Sequence, residues 1–321
     1  MSYNADLDRG LSAINTSYKV MAEDLFSGQL PGTYEKFTDV VPTNSENTEI
    51  DWVGETPMMA KWVGARTRKE MRAYLHSIKL ASYAVDIPVR RKSIKYGTSG
   101  AIQKRLGNFL AEQAQVYQLQ AIAKLLENPT GYDGVSLFSA SHPFAAAAGT
   151  FSNYTTNNLT RANYNTARAA MQAYTTEQGR KFAIIPDTIL CGPALEETAK
   201  ELFKAESRSV ALDESGSEAT QFATSATNIP NVWKGELDVI IDPSLTGSTY
   251  QYYWFLLDTK KPNIKPVICV EGRKPEAINR TDMDDPHRYE YDEYLYGVEG
   301  DFAFGAGFWQ VAYGAFSSTA P

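Results

Sequence analysis

A doubled tripeptide, Trp52-Val53-Gly54 and then Trp62-Val63-Gly64, stands at the head of a basic, strand-like stretch and restricts the possible folds more than any other feature. Glycine weakens a strand interior because it has no side chain to pack. An indole is a large apolar body that needs a surface to cover it. Two such anchors beside glycines are poor material for a core strand or an enzyme pocket. They suit an extended arm whose indoles pack on something outside their own hairpin.

The flanking pattern agrees. Ile50–Val53 is an apolar strand, Tyr74, His76, Ile78 and Leu80 alternate with Ala73, Leu75, Ser77 and Lys79, and Val85-Asp86-Ile87-Pro88-Val89 alternates again. This predicts one long β-hairpin over 48–96. Arms of about 18–20 residues would span roughly 60 Å. A two-stranded hairpin is marginal in water on its own, so neighbouring subunits are the natural support.

Charge is distributed unevenly around the hairpin. Between Lys61 and Lys95 the bases are Lys61, Arg66, Arg68, Lys69, Arg72, Lys79, Arg90, Arg91, Lys92 and Lys95, and the acids are only Glu70 and Asp86. The chain as a whole carries a net charge of −7, and 271–301 is markedly acidic, with Asp282, Asp284 and Asp285 at its centre. A basic hairpin on an acidic body fits head-to-tail docking between copies. Nucleic-acid binding by the basic stretch and an ordinary solvated face are the other readings of the same charges.

The remaining elements indicate an α+β fold. Residues 8–27 form an amphipathic helix, and 32–42 run extended as an arm away from the core. Residues 98–127 read as one helix on the order of 40 Å long, stopped by Asn128-Pro129. Residues 161–177 and 193–205 are further helices, 207–231 is a long Ser/Thr/Ala/Gly loop, and strands at 182–191, 236–241, 250–257, 266–270 and 287–316 complete the chain. With 321 residues it should bury roughly three quarters of its unfolded surface. Cys191 and Cys269 lie in apolar runs and read as buried free thiols. No signal peptide or membrane span is expected.

No convergent catalytic site emerges. His76, His142 and His287 lack metal-ligand spacing. Ser139 and Ser141 beside His142 suggest nucleophilic chemistry, but no Gly-x-Ser-x-Gly elbow surrounds them. The reading preferred there is a turn fixed by Pro143. Asp282, Asp284 and Asp285 lack the loop of a calcium site, so solvated turn carboxylates are preferred to a metal. No metal or cofactor is expected.

Trp52-Val53-Gly54-Glu55-Thr56-Pro57, Trp62-Val63-Gly64-Ala65-Arg66, and Tyr132-Asp133-Gly134 followed by Phe138 and His142-Pro143 together resemble the major head subunits of Mu-like bacteriophages. The resemblance is clearest over 48–143. It implies an HK97-type capsid fold with an N-terminal arm at 1–47, an extended loop at 48–96 and a peripheral domain with its spine helix at 97–181. An axial domain at 182–270 and return strands of the peripheral domain at 271–321 would follow. It further implies a subunit without catalytic residues, forming the hexamers and pentamers of an icosahedral shell around double-stranded DNA. The protein would be made in the host cytoplasm and reside in the virion. Inter-subunit contacts would fall to Trp52, Trp62, Arg66, Arg68, Arg72, Asp282, Asp284 and Asp285. The short start leaves no room for an internal scaffold segment, so a separate scaffold protein is expected, with a portal and a possible decoration protein. An encapsulin-like compartment around protein cargo is an alternative with the same fold. A hydrolase using His142 and the nearby serines is the alternative from another class.

Overall fold

The computed structural model describes residues 2–28, 30–53, 73–97, 99–143, 149–176, 179–212, 225–261, 263–282 and 284–321. The chain forms two compact units, one from 1–50, 77–126 and 268–305, the other from 51–76, 127–267 and 306–321.

The first unit is a four-stranded sheet covered by helices. Its strands run in the order Thr38–Pro42, Val267–Arg280, Glu293–Ala306, Ala81–Arg90. The helix Ser2–Phe26 buries Leu7, Leu11, Ile14, Tyr18, Ala22 and Phe26, spaced three or four apart as one helical face requires. It packs on the helix Ser99–Gln113, where Gly107 lets the Met21 sulfur approach closely. The Tyr18 hydroxyl donates to the Gly297 carbonyl at 2.7 Å, and the Tyr296 hydroxyl donates to Asn15 Oδ1 at 2.7 Å, tying helix to sheet.

Three expectations change here. Residues 32–42 are not a free arm: Thr38–Pro42 is an edge strand, and Tyr34 and Phe37 are buried because the sheet and helices cover their rings. The predicted single long helix is two, Ser99–Gln113 and Val116–Glu127. At the junction the Gln115 amide bonds three residues back to Glu112, tightening the turn where the ladder changes. The predicted single hairpin also divides. Asn47–Val53 pairs with Ala73–Lys79, whereas Ala81–Arg90 leaves it and pairs antiparallel with Glu293–Ala306, register Val85 to Val298 and Val89 to Tyr294. The long partner strand offers Ala81–Arg90 ten residue pairs, which outweighs the weak pairing of an isolated ribbon.

The second unit is built on a five-stranded mixed sheet in the order Asp238–Ile241, Thr188–Cys191, Tyr253–Leu257, Ala312–Phe316, Tyr154–Thr155. The Tyr253–Leu257 strand is central and antiparallel to both neighbours. Trp254, Phe255, Leu256 and Leu257 have no exposure at all, as expected of a strand covered on both faces. The helices Arg161–Ala173 and Glu196–Phe203 contribute Tyr164 and Phe203, whose rings meet edge to face at 4.9 Å. The last strand, expected to return to the domain of the long helix, lies between Tyr253–Leu257, to which it is antiparallel, and Tyr154–Thr155, to which it is parallel. The expected loop at 207–231 contains an antiparallel hairpin, Ser207–Leu212 with Ser225–Pro230. Asn231 anchors its foot by donating to the carbonyls of Glu201, Leu202 and Ala205 at the end of the preceding helix.

Both cysteines are buried free thiols, and burial pushes Cys191 up to about 12. Among the described residues, no helix is long and apolar enough to cross a membrane.

Candidate assembly interface

The turn motif at 131–142 has a structural explanation. Asn128 adopts positive φ and clamps the start of the turn, donating to the Phe138 carbonyl and accepting from the Phe138 amide at 2.9 and 2.7 Å. Gly134 sits at φ 79°, a conformation that favours glycine. The turn aims Asp133 at His142, whose ring is wholly buried. Nδ1 of His142 lies 2.6 Å from Asp133 Oδ2, and Nε2 lies 2.9 Å from Asn153 Oδ1. The ring stacks flat on Trp309 at 4.1 Å.

Asn153 is the centre of this knot. Its Oδ1 also accepts from the Ser139 amide at 2.8 Å, while Nδ2 donates to the carbonyls of Leu137, Trp309 and Ala312 at 2.7, 3.2 and 3.2 Å. Its main-chain carbonyl accepts from Gly314 at 2.8 Å. One buried amide therefore joins the Asp-Gly turn, the His142 strand and the C-terminal strand. This geometry answers the hydrolase reading. Both ring nitrogens of His142 are engaged by Asp133 and Asn153, leaving neither for a serine, and Ser139 Oγ accepts from the Ser141 amide at 3.2 Å. The sequence placed Asp133 and His142 in one motif; Asn153 carried no signal because a lone Asn in an Asn/Thr-rich stretch reads as loop.

The charged candidates separate into paired and available groups. Asp285 accepts from Arg280 Nε and Nη2, both at 2.9 Å, and caps the helix Pro286–Tyr291 by accepting from the His287 amide at 2.8 Å. These bonds, the His287 amide first, hold its carboxyl below the usual range. A depressed folded value contributes stability above the unfolded value of about 3.9 and loses it as pH falls through the folded value. Asp285→Asn should therefore flatten the acid limb of a pH–unfolding curve followed by circular dichroism.

Other acids are also engaged inside the chain. Arg273 meets Glu276 at 3.0 Å, Glu299 at 2.5 Å and Asp301 at 3.1 Å. Arg90 meets Glu293 at 3.3 Å, Arg91 meets Asp292 at 3.7 Å, and Lys79 meets Glu46 at 3.1 Å. The contrast between basic hairpin and acidic body is thus partly neutralised internally. Among the described residues of 271–301, the acids Glu271, Asp282, Asp284 and Glu290 form no ion pair with another described residue. Asp282 and Asp284 are exposed, and so is Tyr289, at 95%. Trp52 lies on the strand Asn47–Val53. Trp62, Arg66, Arg68 and Arg72 lie outside the described residues.

The phage capsid protein family matches residues 74–314, and the chain belongs to that family. It is a family of structural capsid proteins, not of enzymes. The chain is 24% identical over 307 residues to the major capsid protein of Escherichia phage Mu, covering 94% of this chain and 72% of that protein. It is 20% identical over 286 residues to the Mu-like prophage FluMu major head subunit of Haemophilus influenzae, covering 88% of this chain and 66% of that one. Its fold is similar to a subunit of the bacteriophage PhiM1 mature capsid, with a TM-score of 0.52, 10% identity, and coverage of 91% of this chain and 88% of that one. The α+β architecture is therefore the HK97-type capsid fold.

Proposed function

We propose that this chain is the major capsid protein of a tailed phage or related particle, self-assembling into the hexamers and pentamers of an icosahedral head. The match of 74–314 to the phage capsid family carries this reading. It favours a phage head over a compartment for protein cargo. The enclosed cargo is double-stranded DNA, taken up without sequence specificity, since a shell acidic overall confines a polyanion without adhering to it. A separate scaffold protein and a portal would take part in building the head in the host cytoplasm.

Subunit contacts are assigned to the basic stretch at 62–72 and to the acidic residues at 282–290. The segment carrying Trp62, Arg66, Arg68 and Arg72 reaches a neighbouring copy, where Asp282, Asp284 and Glu290 supply opposite charge next to the exposed Tyr289 ring. Trp52 and Trp62 brace that segment. Many such modest contacts around a closed shell add up through multivalency.

Deleting residues 55–70 tests this assignment. The deletion should leave a folded chain that forms no shells, as read by negative-stain microscopy and particle mass, under conditions in which the intact chain assembles. Normal shells from the deletion would remove the segment from the interface.

A further inference from the structure

Residues 87–111 carry Arg90, Arg91, Lys92, Lys95, Lys104 and Arg105 and no acid, in a chain of net charge −7. Arg90 and Arg91 are paired with Glu293 and Asp292. Lys92, Lys104 and Arg105 are exposed and form no ion pair with another described residue. Resting on the reading of the chain as a DNA-enclosing shell subunit, we infer that these three cations mark a phosphate-binding face of the first unit. That face holds the backbone of the enclosed duplex without reading its sequence.

The cations lie on two consecutive helices, Arg91–Tyr96 and Ser99–Gln113, with two residues between them. Lys92 and Lys95 stand three positions apart, on one helical face. The Lys95 ammonium lies 4.6 Å from the centroid of the exposed Tyr96 ring. Lys104, Arg105 and Asn108 open on one cleft of about 480 Å³ walled by Ile87 and Phe109. A cation-lined cleft with low-dielectric walls focuses the potential that attracts an anion.

The nearby acids do not cancel this field. The Asp86 carboxylate lies against Gly297 in the sheet. Asp8, on the helix packed against Arg91–Tyr96, is followed directly by Arg9. Glu112 also lines the cleft but sits two turns beyond Arg105, about 10 Å along the helix, a separation at which salt screens exposed charges. An acidic polypeptide is the rival ligand. Apart from Tyr96, the described exposed residues between Lys92 and Lys104 are Ser93, Gly97, Ser99, Gly100 and Ala101. They offer little apolar area for the core of a protein interface. Phosphate contacts need cations and hydroxyl or amide donors, which Ser93, Tyr96, Ser99 and Asn108 supply. The net negative charge of the chain keeps that contact weak.

The full chain, kept unassembled, is titrated against a fluorescently labelled duplex of mixed sequence between about 50 and 200 mM salt, with anisotropy as the readout. A Lys92→Glu, Lys104→Glu, Arg105→Glu variant is compared with it, and a glutamine version of the same three serves if charge reversal prevents folding. The intact chain should bind with a salt-dependent affinity. The variant should bind about ten-fold or more weakly, with a log–log salt slope shallower by about 2–3, since each phosphate contact contributes about 0.9. No binding by the intact chain, or an unchanged affinity and slope in the variant, overturns the face. So does an intact chain that binds polyglutamate in preference to the duplex. Shell formation by the variant, scored separately by negative-stain microscopy, should be normal. Loss of shells with DNA affinity kept would move these cations to a subunit contact and overturn the face as well. An intact chain that forms no shells counts against the proposed function, and the anisotropy result still decides the face.

Discussion

Asn153→Ala should lower the stability of the second unit by about 4 kcal/mol, placing it among the most damaging single substitutions in the chain. The magnitude follows from what one amide does. Its removal leaves the Ser139 amide and the carbonyls of Leu137, Trp309 and Ala312 without this partner, and strips the Nε2 side of His142. Each buried group left unmade costs about 1–3 kcal/mol, and partial relaxation keeps the sum below the simple total. Asn153→Asp should do no better, since a carboxylate cannot donate to the three carbonyls. Because the chain has two units, a single unfolding midpoint need not describe it. Amide exchange in Tyr154–Thr155 and Ala312–Phe316, measured strand by strand, is the appropriate readout. Unchanged protection in those strands would mean that the knot is not what closes the sheet.

Trp254→Ala should cost about 3–5 kcal/mol, the range for emptying a large aromatic site in a core. Trp254 has no exposure, its backbone pairs with Cys191 on one side and Ala315 on the other, and its indole donates to the Asn157 carbonyl at 3.2 Å. Trp254→Phe fills most of the volume and forfeits the one hydrogen bond, so it should cost markedly less. Urea unfolding followed by far-UV circular dichroism measures the pair. Equal losses for both would show that the hydrogen bond, not the packing, dominates at this strand.

The elements with a regular period were the legible ones. The amphipathic face of Ser2–Phe26 and the buried runs at Thr188–Cys191 and Tyr253–Leu257 could be found because helix and strand bury side chains at set spacings. The charge pattern was legible only in part. Counting residues showed a basic stretch and an acidic one, but not that Arg273 gathers Glu276, Glu299 and Asp301 or that Arg280 holds Asp285. Such pairs depend on strand register, which is set by long-range pairing.

By itself, the sequence determined the α+β class, the strand and helix content of most segments, and the kinship with capsid subunits carried by the paired Trp-Val-Gly units and the Asp-Gly…His-Pro turn. Local periodicity and turn chemistry are enough for these. Tertiary structure decided the rest: that Thr38–Pro42 joins a sheet, that Ala81–Arg90 leaves its hairpin for Glu293–Ala306, and that Ala312–Phe316 closes the second unit's sheet. It also revealed Asn153 as the hub around His142. A strand's partner and a buried amide's acceptors are chosen by distant segments, 203 residues apart for Arg90 and Glu293 and 159 for Asn153 and Ala312, and no local pattern contains them.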